Sequence, residues 1–137
     1  MARINAYLRF DGNCHTAFLF YKDCLGGVLE YQKVGESPMG KDLPREAAEK
    51  VLHCSLTSGD LILYGADNFD DSRTHSGTSV TLCYTGASLE ELKSVFSSLA
   101  EGGEVTHQLQ ETFFGTYGDL TDKFGINWMF QSDQKKK

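Results

Sequence analysis

No apolar run in this sequence approaches the length of a membrane span, and the opening Met-Ala-Arg-Ile-Asn lacks the apolar region of a signal peptide. These two absences predict a cytoplasmic protein with no membrane partner. Positive charge is also scarce: 13 basic residues face 19 acidic ones, a net of −6. Three of the basic residues are the terminal Lys135, Lys136 and Lys137, so the body alone carries −9, ten basic against nineteen acidic. A body that acidic repels phosphate backbones and excludes nucleic acid as an expected partner. Cysteine is limited to Cys14, Cys24, Cys54 and Cys83, none in a C-x-x-C pair. The reading is free, buried thiols, not disulfides. No nucleophile signature, P-loop, dinucleotide fingerprint or zinc-finger spacing occurs.

What is present is an ordinary globular balance, 40% hydrophobic and 23% charged, over a length of 137 residues that suits one domain. Residues 5–10 alternate as a strand does. Asp11-Gly12-Asn13 breaks the strand, with Asn13 as the expected helix cap. Cys14, Ala17, Phe18, Tyr21 and Leu25 then share a helical face, and Gly26-Gly27 stops the helix. Strands are predicted over 28–34, 51–57 and 61–65. Between the first two lies a polar stretch, 35–49, that holds both prolines, Pro38 and Pro44. A second polar stretch covers 66–77. Strand 79–84 opens another unit, and Ser88-Leu89-Glu90-Glu91 reads as a capping box. Leu89, Leu92, Phe96 and Leu99 form the helix stripe, and Gly102-Gly103 ends it. Strands over 104–108, 112–117 and 126–131 complete the chain.

Strand, helix, Gly-Gly and strand therefore occur twice. Leu8 and Phe10 align with Leu82 and Tyr84 at an offset of 74, and the Gly-Gly pairs at 76, which predicts two extra residues in the second helix region. One half alone would bury little core. The chain is read as one α+β domain, 1–132, with modules of about 1–67 and 77–132 and a disordered tail, 133–137.

Several segments carry a specific likeness: Tyr7-Leu8-Arg9-Phe10-Asp11-Gly12-Asn13-Cys14, Phe20-Tyr21-Lys22-Asp23-Cys24-Leu25-Gly26-Gly27, Lys50-Val51-Leu52-His53, Leu99-Ala100-Glu101-Gly102-Gly103, Glu111-Thr112-Phe113-Phe114-Gly115 and Thr121-Asp122-Lys123-Phe124-Gly125-Ile126-Asn127-Trp128-Met129. Together they resemble the PhnB-like branch of the glyoxalase/bleomycin-resistance/extradiol-dioxygenase (vicinal oxygen chelate) superfamily. The resemblance implies two βαβββ modules, a cupped mixed sheet with helices outside, and a homodimer. It leaves the chemistry open, because the superfamily holds metalloenzymes and metal-free binding proteins alike. The methyltransferase label common in this branch finds no support, since no strand runs into a Gly-rich turn.

The resemblance also implies four metal slots, which fall near Asn5, at His53, near Thr78 or Ser79, and at Met129. Only His53 is a good ligand, and His75 and His107 fall away from the slots. A divalent metal needs three or four converging N, O or S donors, so no catalytic metal or other cofactor is expected.

Strand alternation puts Ala6, Leu8, Phe10, Leu52, Cys54, Leu56, Val80, Leu82 and Tyr84 on the core face. Tyr7, Arg9, His53, Ser55, Thr81 and Met129 fall on the other, a mixed face suited to a small polar or anionic molecule. Arg9 is a candidate clamp for a carboxylate or phosphonate. His53 is the candidate base or donor. Phe113 and Phe114 are candidate mouth residues beside a movable loop, Gly115-Thr116-Tyr117-Gly118. Each has a plainer alternative: His53 as a hydrogen-bonded structural residue, Arg9 as a solvated or ion-paired surface charge, Tyr7 as filler. Trp128 is read as core, and Asp122 as the cap of its turn. The expected function is metal-free binding of a small ligand. The alternatives are a metal-dependent isomerase, lyase or dioxygenase, and an interaction module with no ligand.

Overall fold

The protein, described here by a computed structural model, is defined over residues 3–37, 43–68, 77, 80–85, 88–112 and 115–132. The chain divides into two compact units, Met1–His75 and Ser76–Lys137.

In the first unit, the alternating segment forms β1 (Ala6–Phe10), with Leu8 and Phe10 buried and Tyr7 and Arg9 exposed. Helix α1 (Cys14–Leu25) buries Cys14, Ala17, Phe18 and Tyr21. Then come β2 (Val28–Lys33), a 3-10 turn at Val34–Glu36, a short helix α2 (Arg45–Ala48), β3 (Val51–Ser58) and β4 (Leu61–Asp67). The sheet order is β1-β4-β3-β2, with β1 parallel to β4 and the other pairs antiparallel. The second unit holds β5 (Leu82–Tyr84), α3 (Leu89–Ala100), β6 (Glu104–Thr112), β7 (Gly115–Thr121) and β8 (Asn127–Ser132), in the order β5-β8-β7-β6 with the same directions. Each unit is thus an amphipathic helix on a four-stranded mixed sheet, the two-module α+β arrangement that the repeat predicts.

The repeat is tighter than the sequence offsets imply. A Cβ on Gly27 would strike the Thr57 carbonyl, and one on Gly103 would strike the Thr121 carbonyl. Val28 pairs with Thr57, and Glu104 with Thr121. Following the ladders from there, Thr57–Ile62 matches Thr121–Asn127 and Tyr7–Tyr64 matches Cys83–Met129. The offset from β1 to β5 is therefore 76, the same as between the glycines. Leu8 corresponds to Tyr84, and the predicted two-residue insertion is absent.

Other expectations are corrected too. Asn13 makes no side-chain cap on α1; the buried Asp67 carboxylate takes its place, accepting the Gly12 and Cys14 N–H groups at 3.0 and 2.9 Å. Ala66 and Asp67 belong to β4 and are buried, so the polar stretch does not begin at 66. Val80 is 71% exposed, because pairing of β5 with β8 starts only at Leu82. The second hairpin runs 104–112 and 115–121, so residues 115–118 are strand β7 and not a movable loop. Cys14 and Cys54 are buried thiols, but Cys24 is half-buried and Cys83 exposed. The Ser88 hydroxyl accepts the Glu91 N–H, as expected, while the Glu91 carboxylate takes the Tyr84 hydroxyl at 3.1 Å. Asp122 holds its turn by accepting the Phe124 and Ile126 N–H groups, and its second oxygen takes the buried Trp128 indole N–H. Among the described residues, no helix is long and apolar enough to cross a membrane. The Lys-rich tail lies outside the described residues.

Candidate functional site

Each sheet has one face covered by its helix and one face that the helix leaves open. In the first unit the open face carries Tyr7 and Arg9 from β1, Tyr64 from β4, and His53 and Ser55 from β3. Register decides which of these meet. Tyr7 pairs with Tyr64, and Tyr64 with Ser55, so the three form one cross-strand row. His53 and Arg9 lie two residues along their strands, on the same face.

The rings of Tyr7, His53 and Tyr64 sit with centroids 6.4, 6.3 and 5.9 Å apart. Three nearly equal separations make a triangle, not a column, so the rings tile a patch of the sheet. Their planes differ by only 27° to 40°. The Arg9 guanidinium carbon lies 5.2 Å from the Tyr7 ring centroid, a cation–π contact that holds the cation at the edge of the patch. Tyr7 is 46% exposed. The patch offers π surface, one imidazole, three hydroxyls (Tyr7, Tyr64 and Ser55) and one guanidinium with donors for an anion.

The structure thus brings together four of the sequence candidates, Tyr7, Arg9, His53 and Ser55. Thr81 and Met129 belong to the second unit, Thr81 exposed just before β5 and Met129 half-buried on β8 between Cys83 and Asp119. Phe113, Phe114, Thr78, Ser79 and His75 lie outside the described residues. Tyr64 is an addition: the alternation of Ile62, Tyr64 and Ala66 against Leu61, Leu63 and Gly65 in β4 is the signal that finds it. Among the described residues, no three His, Cys, Asp or Glu side chains come together, and the slots at Asn5 and Met129 supply an amide and a thioether. At the described slots the donors are therefore an amide, an imidazole and a thioether, short of the three or four converging donors that a divalent ion takes.

The open face of the second sheet carries a different set. His107 and Asp119 are direct cross-strand partners, and Nδ1 of His107 lies 2.9 Å from Oδ1 of Asp119. The Tyr117 hydroxyl donates to Oδ2 of the same carboxylate at 2.6 Å. Burial pushes the Asp119 carboxyl up, but the hydrogen bonds from Tyr117 and His107 outweigh it and hold the group below its usual value. The bond to Asp119, with burial second, raises the Tyr117 hydroxyl. Sequence reasoning missed this group because it ended the two strands at Gln108 and Tyr117, which left Asp119 outside a strand and gave no register to pair it with His107.

The whole length is similar to known proteins. The chain is 30% identical to Protein YjdN of Escherichia coli K12, covering 92% of each. Protein PA1353 from Pseudomonas aeruginosa shares 33% identity and a TM-score of 0.83 over 97% of this chain and 98% of that one. The PhnB protein from Bacillus cereus has the same fold, with a TM-score of 0.77 at 23% identity over 96% and 99% of the two chains. These neighbours agree with the resemblance to the PhnB-like branch. Residues 3–130 match the Glyoxalase/Bleomycin resistance protein/Dioxygenase superfamily, and with two βαβββ units built to one plan the chain belongs to that superfamily.

Proposed function

We propose that this protein binds a small polar or anionic molecule on the open face of its first sheet, without a catalytic metal. The observation that carries the reading is the ring triangle of Tyr7, His53 and Tyr64 with Arg9 at its edge. A purely structural Tyr7 would be covered; this one is half open on a face that the helix leaves bare. Flat rings grip a planar ligand by dispersion and stacking, and the guanidinium gives a carboxylate or phosphonate a bidentate partner. In a body of net charge −9 (tail excluded), a lone anion finds few such partners. Ser55 and His53 would add hydrogen bonds that fix the ligand's orientation.

Calorimetric titration with aromatic carboxylates and arylphosphonates, with and without added zinc, nickel and iron, tests the reading. Binding is expected without metal and is expected to weaken about tenfold in Arg9→Gln or Tyr7→Ala, the value of one charge-assisted bond or one stacked ring. Undiminished binding in both variants would sink it. Stoichiometric metal in protein purified without a His-tag would favour the metalloenzyme reading instead. Chemical turnover of a bound compound would make the face an active site and not a carrier's.

A further inference from the structure

We propose that His107, Asp119 and Tyr117 form a proton-accepting site on the open face of the second sheet, with Nε2 of His107 as the base and a small carbon acid as its substrate class. A carbon acid here is a molecule whose C–H is acidified by an adjacent carbonyl or electron-poor ring. The inference stands on the second sheet alone and does not rest on Arg9 or the ring patch.

The ladder assembles the group. A register irregularity between Val105 and His107 steps β6 forward and sets His107 opposite Asp119 on β7. Both carboxylate oxygens are engaged, one by the His107 ring and one by the Tyr117 hydroxyl, so the carboxylate is fixed in rotation. An ionised carboxylate only accepts, so Nδ1 carries the proton and, in the neutral ring, Nε2 keeps its lone pair. This is the orientation that a carboxylate imposes on an imidazole base. The His107 side chain is 59% exposed, against 22% for Asp119, so the base is reachable while its partner is sheltered.

The neighbours fit an organic substrate better than an ion. Cys83, Met129, Asp119 and His107 lie in one cross-strand row, with the soft Met129 thioether beside the carboxylate. The titratable side chains on this face are Glu104 and His107 from β6, Asp119 and Tyr117 from β7, and Cys83 from β5. The residues of β8 on this face, Asn127, Met129 and Gln131, do not titrate. The step balances simply. The substrate C–H bond breaks, its proton forms an N–H bond at Nε2, and the electron pair moves onto the substrate's own carbonyl or leaving atom. The imidazolium is neutralised by Asp119, which acts as a positioning residue and takes no proton. The proton then returns to the substrate or to water.

The probe is 5-nitrobenzisoxazole, whose ring C–H loses a proton as its N–O bond breaks and the electrons leave as a coloured phenolate. The full chain is expected to open the ring, and His107→Gln to lose about tenfold or more of kcat/KM. Asp119→Asn is expected to lower kcat while KM stays within about twofold, a split that a merely structural role would not produce. A His107→Gln rate within about twofold of the unaltered protein, with its melting temperature unchanged, overturns the assignment. Nitrogen-15 spectra give an independent reading: the neutral ring should carry its proton on Nδ1, and a ring protonated at Nε2 would also overturn the proposal.

Discussion

Asp67 sits at the end of β4, buried, with its two oxygens on three backbone N–H groups: Gly12 and Cys14 at the start of α1, and Val51 at the start of β3, the last at 2.9 Å. One carboxylate therefore ties three elements of the first unit, and its charge is matched by the positive end of the helix. In Asp67→Ala those donors are left buried and unsatisfied, and the loss should be about 3 kcal/mol by denaturant unfolding. A loss below about 1 kcal/mol would mean that water replaces the carboxylate. Tyr84 makes the corresponding point about pH. Burial, and then its bond to Glu91, push its hydroxyl up to about 12. The folded value lies above the ordinary one near 10.0, so this contribution to stability is complete below that pH and is lost as pH rises through about 12. Melting temperatures should fall between about pH 10 and pH 12, and Tyr84→Phe should flatten that limb. An alkaline limb of the same slope in the variant would assign the effect elsewhere. At this scale, Tyr7, Arg9, His53 and Ser55 were legible as a face because alternation in a strand is local.

At the scale of elements, the helix stops were also legible, since a Gly-Gly pair after an amphipathic run ends a helix wherever it occurs. The reason for the second glycine of each pair is tertiary: the following strand starts against a carbonyl of its neighbour, with no room for a Cβ. Gly27→Ala, strained also by a φ of 97°, and Gly103→Ala should each cost about 2 kcal/mol or more. Gly77→Ala, with nothing within 4 Å, should cost about 0.5 kcal/mol or less. Equal losses at all three by thermal or denaturant melts would remove the close-approach argument. The hairpin β6–β7 was the least legible element. It is nearly all polar, and its two register irregularities break the period of two that marks a strand. The pairing of His107 with Asp119 was hidden for that reason, as was the continuation of the predicted 112–117 strand through residues 118–121. The Asn13 cap failed for a related reason: a local rule named the nearest good acceptor, and a buried carboxylate more than fifty residues on filled the role.

At the scale of the whole molecule, the two units share strand order, strand directions and the glycine contact, yet their open faces have diverged. Tyr7, Tyr64, Ser55 and His53 in the first unit correspond to Cys83, Met129, Asp119 and Tyr117 in the second. One scaffold thus carries a ring patch with a guanidinium and, separately, a carboxylate-bound imidazole. The superfamily resemblance implies a homodimer. Sedimentation velocity at micromolar concentration should show a species of about twice the 15.2 kDa chain mass, and a monomer throughout would remove that expectation. The sequence by itself determined the duplicated βαβββ plan, the helix limits and the alternating faces, because each follows from periods and stop signals within a few residues. Only the tertiary structure decided that Tyr64 joins Tyr7 and His53, that Asp67 caps α1, and that His107 meets Asp119, because register joins residues far apart in the chain, and an irregularity in a single ladder changes which side chains touch.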